Sequence, residues 1–482
     1  MLTEIIQNRL ESSLVIYDRT GQMVPNEKIK KEYNSIKQYL QYYHHDDPCI
    51  AITLKKDYTY FLTILACLEI GLPYIPLKWD YPEDRIKQIQ ADSSFRLNLN
   101  EEKLVDILQA QVHPIKTLQP IPKNKAAYII FTSGSTGRPK GVIIQRSALE
   151  NFMKFIDHQF EANQDDRLLQ VTEFTFDISV SDISLFLTKN VSLYFSGFEN
   201  NILKLGHEID THRINILVTV PNNLNMFLSD LIAARMDCSC LKHILIAGSR
   251  FSYGLYEKCQ KYFTESTRVY NLYGPTEATV YSHFHELSYD LKKDTDELNV
   301  SIGYSLPGMH SCIVLDNKKV QMKERGELFI GGEQLMKEYI NNPEQTDKAL
   351  VYFEDQKYYR SGDLAYQDEQ GKYYIVGRTD DTIKYRGFRI NLLDIDSYIT
   401  RLPYVQDSAT IAIPHEQFEN QTICFIILRE EKTVKEIKKD LSSLLLDFQI
   451  PEKIIVTESY PTNTSGKVCR KTLRADYLSK KL

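Results

Sequence analysis

The sequence predicts an α/β fold: a large N-terminal domain of helix-covered sheets carrying a β-rich subdomain, followed by a small α+β C-terminal domain. Three observations predict it. Strand-like and helix-like runs alternate through the first part of the chain, the pattern of a sheet wrapped by helices. The strand candidates there are apolar throughout instead of alternating, which requires cover on both faces. The character then changes twice, to short strands near residue 300 and to a self-contained strand and helix set after residue 380.

In chain order, Leu14–Tyr17 and Ile50–Ile52 are strand-like, and the stretches 29–43 and 58–70 are helical. The most apolar stretch, 60–76, is broken by Glu69, Gly71 and Pro73, so it reads as a buried helix running into a strand and not as a membrane span. Residues 127–131 form an apolar strand that ends in a Gly/Ser/Thr-rich loop. The runs 214–220 and 243–247 are further buried strands, each ending at a turn signal. Residues 312–315, 327–330 and 372–376 make up the β-rich subdomain. Residues 408–413 and 422–428 read as strands and 434–446 as a helix. The expected division is 1–379 for the large domain and 380–482 for the small one, with a hinge at Asp380.

The chain has 482 residues, too many for one simple core. Hydrophobic residues at 43% and charged residues at 25% suit a globular protein. A net charge of −6 argues against a nucleic-acid binder held by phosphate contacts. The eight cysteines include no C-x-x-C pair and no metal-ligand spacing, which suits a reducing compartment. Cys238 and Cys240, one residue apart, would face one side of a strand. Glu4, Arg9 and Glu11 give the N-terminus the wrong charge pattern for a signal peptide. A monomeric cytoplasmic protein without membrane association is expected.

The segment Phe131-Thr132-Ser133-Gly134-Ser135-Thr136-Gly137-Arg138-Pro139-Lys140-Gly141 carries the clearest chemistry. Glycines let backbone N–H groups turn toward an anion, hydroxyls add donors, and Lys140 adds charge. Following a strand, this is a phosphate cradle. It is not a Walker A loop, because Arg138 and Pro139 separate the last loop glycine from the lysine.

That string resembles the phosphate-binding loop of the adenylate-forming superfamily, which includes acyl-CoA synthetases and the adenylation domains of nonribosomal peptide synthetases. The resemblance covers nearly the whole chain in order and implies two substrates, ATP with Mg²⁺ and an acid. It assigns Thr132, Ser133, Gly134, Ser135, Thr136, Gly137 and Lys140 to the phosphates. The 68–77 stretch resembles an early structural motif, with Lys78 where an aspartate is usual. Asn271-Leu272-Tyr273-Gly274-Pro275-Thr276-Glu277 resembles the central nucleotide motif. It implies Asn271, Tyr273, Gly274 and Thr276 around the nucleotide and Glu277 on the metal, where a hard cation wants a carboxylate oxygen. Asp363, in Tyr359-Arg360-Ser361-Gly362-Asp363, would accept both ribose hydroxyls, as an acceptor-only carboxylate can. In the 377–387 motif Arg378 would lie near the ribose, Asp380 would be the hinge and Lys384 would approach after rotation of a mobile C-terminal domain. Lys467, in Asn463-Thr464-Ser465-Gly466-Lys467, would be catalytic. Ser465 and Cys469 depart from the usual Asn and Asp of that motif.

Phe174-Thr175-Phe176-Asp177-Ile178-Ser179 resembles the motif that opens the acid pocket. In amino-acid activators this aspartate meets the substrate's ammonium, and each group offsets the other's desolvation. Carried over position by position, the lining is Asp177, Ile178, Ser181, Thr219, Leu245, Ala247, Leu272, Val280 and Tyr281, with Lys467. Besides Asp177 and Lys467 it holds no charge, and Ile178, Leu272 and Tyr281 are bulky. A small neutral amino acid such as glycine, alanine, serine or threonine is therefore expected, although Ser181 and Thr219 resemble residues of some aromatic pockets. The implied reaction is formation of an aminoacyl-AMP and transfer of the aminoacyl group to the phosphopantetheine thiol of a carrier protein. No carrier domain follows Lys467, so the carrier would act in trans, as with D-alanine–carrier protein ligases. The alternative is an acyl- or aryl-acid CoA ligase of the same superfamily, which would not need Asp177.

Overall fold

The computed structural model describes all residues except 45, 111–119, 133–138, 198–201, 235–237, 297–298, 380–381, 386–387, 416–418, 446–448, 463–467 and 480–482. The large domain contains two helix-covered sheets. One has eight strands in the order 16–17, 192–195, 167–170, 216–219, 243–246, 268–273, 283–286 and 304–305; the first six run parallel, and 283–286 pairs antiparallel with both 268–273 and 304–305. The other has five strands, with 98–100, 50–53, 74–76 and 126–132 parallel and 140–145 antiparallel at the edge. The strands 50–53, 192–195, 216–219 and 243–246 are buried at every residue. That is why their sequences are apolar without alternation.

The helix Tyr58–Ile70 illustrates how local signals and tertiary burial agree. Asp57 caps it by accepting from the Tyr58 N–H at 2.7 Å, and Gly71 ends it in the left-handed region. Glu69, the charge inside this apolar run, is buried but satisfied by Tyr33, Gln7 and Lys37. Among the described residues no helix is long and apolar enough to cross a membrane.

The antiparallel sheet built from 309–315, 318–319, 326–332, 350–353, 356–367 and 373–378 is the β-rich subdomain. Beyond it, a three-stranded sheet of 405–415, 419–428 and 453–456 packs with helices 392–399, 434–441 and 470–478 around its own apolar clusters. The 434 helix ends at Leu441, five residues before the sequence-based boundary, because 442–445 turn away. The chain also departs from expectation at Cys238 and Cys240: both are buried, but in the turn before strand 243–246 and not on a strand.

Sheet order places the site. Strand 167–170 has 192–195 on one side and 216–219 on the other, so the chain reverses its direction of travel across the sheet there. The loops leaving the carboxyl ends of the strands at such a switch point splay apart and leave a crevice. Thr219, Ala247 and Tyr273 stand at or just beyond those ends, and Asp177 lies in the segment that follows strand 167–170.

Candidate active site

Strands 126–132 and 140–145 pair as a hairpin with Thr132 opposite Lys140, so both ends of the expected phosphate loop are anchored in the sheet. Thr132 Oγ1 donates to the Lys140 carbonyl at 3.5 Å. Ser133, Gly134, Ser135, Thr136 and Gly137 lie outside the described residues. The Lys140 ammonium donates to Gln345 Oε1 at 2.9 Å and stands 5.3 Å from the centre of the Tyr339 ring.

Strand 268–273 delivers the next group. Tyr273 Oη donates to Asp363 Oδ2, and Arg378 Nη1 donates to Asp363 Oδ1 at 2.9 Å. The register of strands 356–367 and 373–378 sets Asp363 opposite Arg378, and Gly362 takes φ +68 to turn the strand there. Burial raises the pKa of the Tyr273 hydroxyl well above its ordinary value, and the charge of Asp363 adds to this. One carboxylate thus brings a ring and an arginine together, and its acceptor-only oxygens have the chemistry needed to take a pair of hydroxyls. Asn271 is buried, and its amide donates to the Ser301 carbonyl at 2.8 Å, which ties strand 268–273 to the segment just after residues 299–300.

After Tyr273 the backbone makes an abrupt approach to itself. A Cβ on Gly274 would lie 2.5 Å from the Val280 carbonyl, so only glycine fits. Thr276, half-buried, opens the 3₁₀ turn Thr276–Ala278. Thr279 and Val280 follow at φ 54 and 69. A β-branched residue in the left-handed region is uncommon and costs of order 1–3 kcal/mol. The Thr279 hydroxyl, bonded to the Gln334 carbonyl at 2.6 Å, helps to hold it. This strained turn aims Glu277 one way and Val280 with Tyr281 the other. Glu277 is buried and accepts from Tyr339 Oη at 2.6 Å through Oε1. Its second oxygen is a hard donor of the kind Mg²⁺ takes alongside water and phosphate oxygens, so the residue fits that ion.

Of the residues expected around the acid, Ile178, Leu245, Ala247, Leu272, Val280 and Tyr281 share one core cluster. Ser181 Oγ donates to Tyr281 Oη at 2.9 Å, closing the floor. Gly248 leaves room for Ile178, whose Cδ1 would be 2.7 Å from an added Cβ. Thr219 pairs with Ile246, and its buried hydroxyl has no hydrogen-bond partner among the described residues. Asp177 is half-buried at the start of the helix Ser179–Lys189. Burial raises the pKa values of the Tyr128 and Tyr281 hydroxyls, and the charge of Asp177 contributes to both.

Lys384 sits on the hairpin 382–385 with 388–391, its side chain outside the described residues, as are Asp380 and Lys467. Arg250 links the domains: its guanidinium donates to Ser397 Oγ at 2.7 Å and to Asn299 Oδ1. Sequence reasoning missed Arg250, Tyr339 and Gln345. Each is a single polar or aromatic residue in a stretch without a motif, and only chain crossing gives it a role.

The model of the AMP-binding enzyme family matches residues 31–340, and that of the AMP-binding enzyme C-terminal domain matches 394–467. The D-alanine–D-alanyl carrier protein ligase of Bacillus licheniformis is 30% identical over 457 residues, covering 90% of this chain and 88% of that protein. A linear gramicidin synthase of Brevibacillus parabrevis is 29% identical over 445 residues, 88% of this chain. Gramicidin S synthase 1 of Brevibacillus brevis is 27% identical over 89% of this chain. The chain spans only 8% and 40% of the length of those two synthases. ATP-bound MatB from Rhodopseudomonas palustris superposes with a TM-score of 0.86 at 20% identity, covering 99% of each chain. A four-domain nonribosomal peptide synthetase bound to AMP and glycine gives 0.83 at 22% identity, over 98% of this chain and 36% of that one. Both likenesses are likenesses of fold.

Proposed function

We propose that this chain, which belongs to the AMP-binding enzyme family and so to the adenylate-forming superfamily, activates a small neutral amino acid with ATP and passes it to the phosphopantetheine thiol of a separate carrier protein. What supports this reading is Asp177, a half-buried carboxylate, together with a set of apolar or hydroxylic residues that are almost wholly buried. A carboxylate beside an apolar enclosure suits a cation carried on a small body. The relatives named as D-alanine–carrier protein ligase and gramicidin synthases support the same class.

In the first step a carboxylate oxygen of the amino acid attacks the α-phosphorus of ATP. An oxygen–phosphorus bond forms, the α–β bridging bond breaks, and pyrophosphate leaves. The attacking acid is already ionised near neutral pH, so no general base is needed. Positioning and charge stabilisation lower the barrier. Tyr273, Thr276, Asp363 and Arg378 would seat the nucleoside, with Asn271 and Gly274 fixing the strand and turn beneath them. The loop from Thr132 to Lys140 would hold the departing phosphates. Mg²⁺, held by Glu277, would supply charge neutralisation at the phosphates. Lys467 would bridge the carboxylate and phosphate.

In the second step a thiol sulfur attacks the acyl carbon, a thioester forms and AMP leaves. Rotation of the C-terminal domain about Asp380 would withdraw Lys467 and present Lys384 for this step, a gating motion.

The test is ATP–pyrophosphate exchange over a panel of L- and D-amino acids beside fatty and aryl acids. Exchange with glycine, alanine or serine supports the proposal. Exchange confined to an acid without an amino group overturns it.

A further inference from the structure

Glu277 and Lys140 carry opposite charges at the same end of the site, yet they do not pair with each other. Each meets a neutral partner, and one residue touches both. Tyr339 is buried; its hydroxyl donates to Glu277 Oε1 at 2.6 Å, and Lys140 Nζ stands 5.3 Å from the centre of its ring. Lys140 Nζ also donates to Gln345 Oε1 at 2.9 Å, six residues further along the same segment.

The backbone makes this arrangement rigid. The Ile143 N–H donates to the Glu338 carbonyl, the Lys337 N–H to the Ile143 carbonyl and the Ile340 N–H to the Gly141 carbonyl, so the segment runs along strand 140–145. Gly141, next to Lys140, permits the contact, since a Cβ there would lie 2.6 Å from Ile340 Cγ2. The Met336 N–H donates to the Glu277 carbonyl at 2.7 Å, and the Tyr339 N–H to Thr346 Oγ1 at 3.0 Å. Tyr339 is therefore fixed to the lysine's strand and to the glutamate's turn at once.

We infer that Tyr339 is a positioning residue for the metal–phosphate end of the nucleotide: its hydroxyl orients the Glu277 carboxylate, and its ring, with Gln345, supports Lys140. An ion pair between the two charges would neutralise the groups meant for the ligand. Neutral hydrogen bonds and a ring face hold direction while leaving both charges uncompensated. The inference rests on the nucleotide-binding part of the proposed function.

The test is isothermal titration of the full chain with ATP, with and without Mg²⁺. Tyr339→Phe keeps the ring and removes the hydroxyl. It is expected to lose about tenfold of the affinity that Mg²⁺ adds, the scale of one hydrogen bond to a charged group, while metal-free ATP affinity stays within about twofold. Gln345→Leu, at a half-buried position, is expected to weaken ATP several-fold in both conditions and to leave the Mg²⁺ increment intact. A Tyr339→Phe protein with an unchanged Mg²⁺ increment, or with equal losses in both conditions, overturns the inference. If Tyr339→Phe does not fold, a Gln345→Leu protein that binds ATP as the parent does overturns the Lys140 half. A parent chain that binds no ATP would instead sink the proposed function, and this inference with it.

Discussion

Asp182 lies one residue past Ser181 on the helix Ser179–Lys189 and is fully buried. Neither carboxyl oxygen has a hydrogen-bond partner among the described residues. The charge of Lys56, whose ammonium donates to the Val171 carbonyl at 2.6 Å, and after it the neighbouring Gln170 amide both favour the charged form. Burial outweighs them and holds the Asp182 pKa well above the ordinary 3.8. In the unfolded chain the group ionises around its ordinary value, while in the fold it holds its proton to higher pH. The native state thus binds more protons, and stability falls as pH rises, by about 1.4 kcal/mol per unit while the native group stays protonated. Asp182→Asn removes that loss. For a cooperative unit of about 300 residues the melting entropy is roughly 0.6 kcal/mol/K, so the variant should gain roughly 2 °C on the parent for each pH unit above about 4. Differential scanning calorimetry of both proteins at pH 5, 6 and 7 measures this. A difference independent of pH, or an Asp182→Asn protein that loses ground as pH rises, would refute the argument and make Asp182 an ionised partner of Lys56.

His283 supplies the opposite slope. It is fully buried behind Tyr273, 5.7 Å between ring centres, and burial pushes its pKa down from 6.5 to about 3. The unfolded chain takes a proton below 6.5 that the fold refuses, so stability falls as pH drops from 6.5 toward 3, by about 1.4 kcal/mol per unit. His283→Asn should flatten the acid limb of the melting temperature against pH; an unaltered limb would place the acid sensitivity elsewhere. Asp177→Ala should lower exchange with the preferred amino acid by about 100-fold or more, because the substrate's ammonium loses its counter-charge, while ATP affinity measured by titration stays unchanged. Gly303→Ala should cost at least about 2 kcal/mol in a chemical unfolding titration. Gly303 takes φ +74, and its added Cβ would lie 1.9 Å from the Phe284 carbonyl oxygen.

Much of the fold was legible in the sequence, for reasons particular residues make plain. The helix at 58–70 carries a side-chain cap at Asp57 and a left-handed stop at Gly71, both local features. The buried strands carry unbroken apolar runs because both faces are covered. Asp363 and Arg378 were legible as separate motifs; their pairing came from strand register. The predicted 434–446 helix was legible only as far as Leu441, where Ser442 and Ser443 turn their hydroxyls back onto the Lys439 and Asp440 carbonyls.

The sequence by itself determined the chemical inventory: a glycine and hydroxyl loop before a lysine, a carboxylate after an aromatic, a Tyr-Gly-Pro-Thr-Glu turn. Local backbone preference and side-chain chemistry are properties of a few adjacent residues, so they can be read in one dimension. Tertiary structure alone decided which groups meet. Tyr339 reaches Glu277 across 62 positions, Gln345 reaches Lys140 across 205, and Asp182 is left in the core without a hydrogen bond from any described residue. Such contacts depend on where the whole chain crosses itself, and their energies come from burial that no local segment supplies.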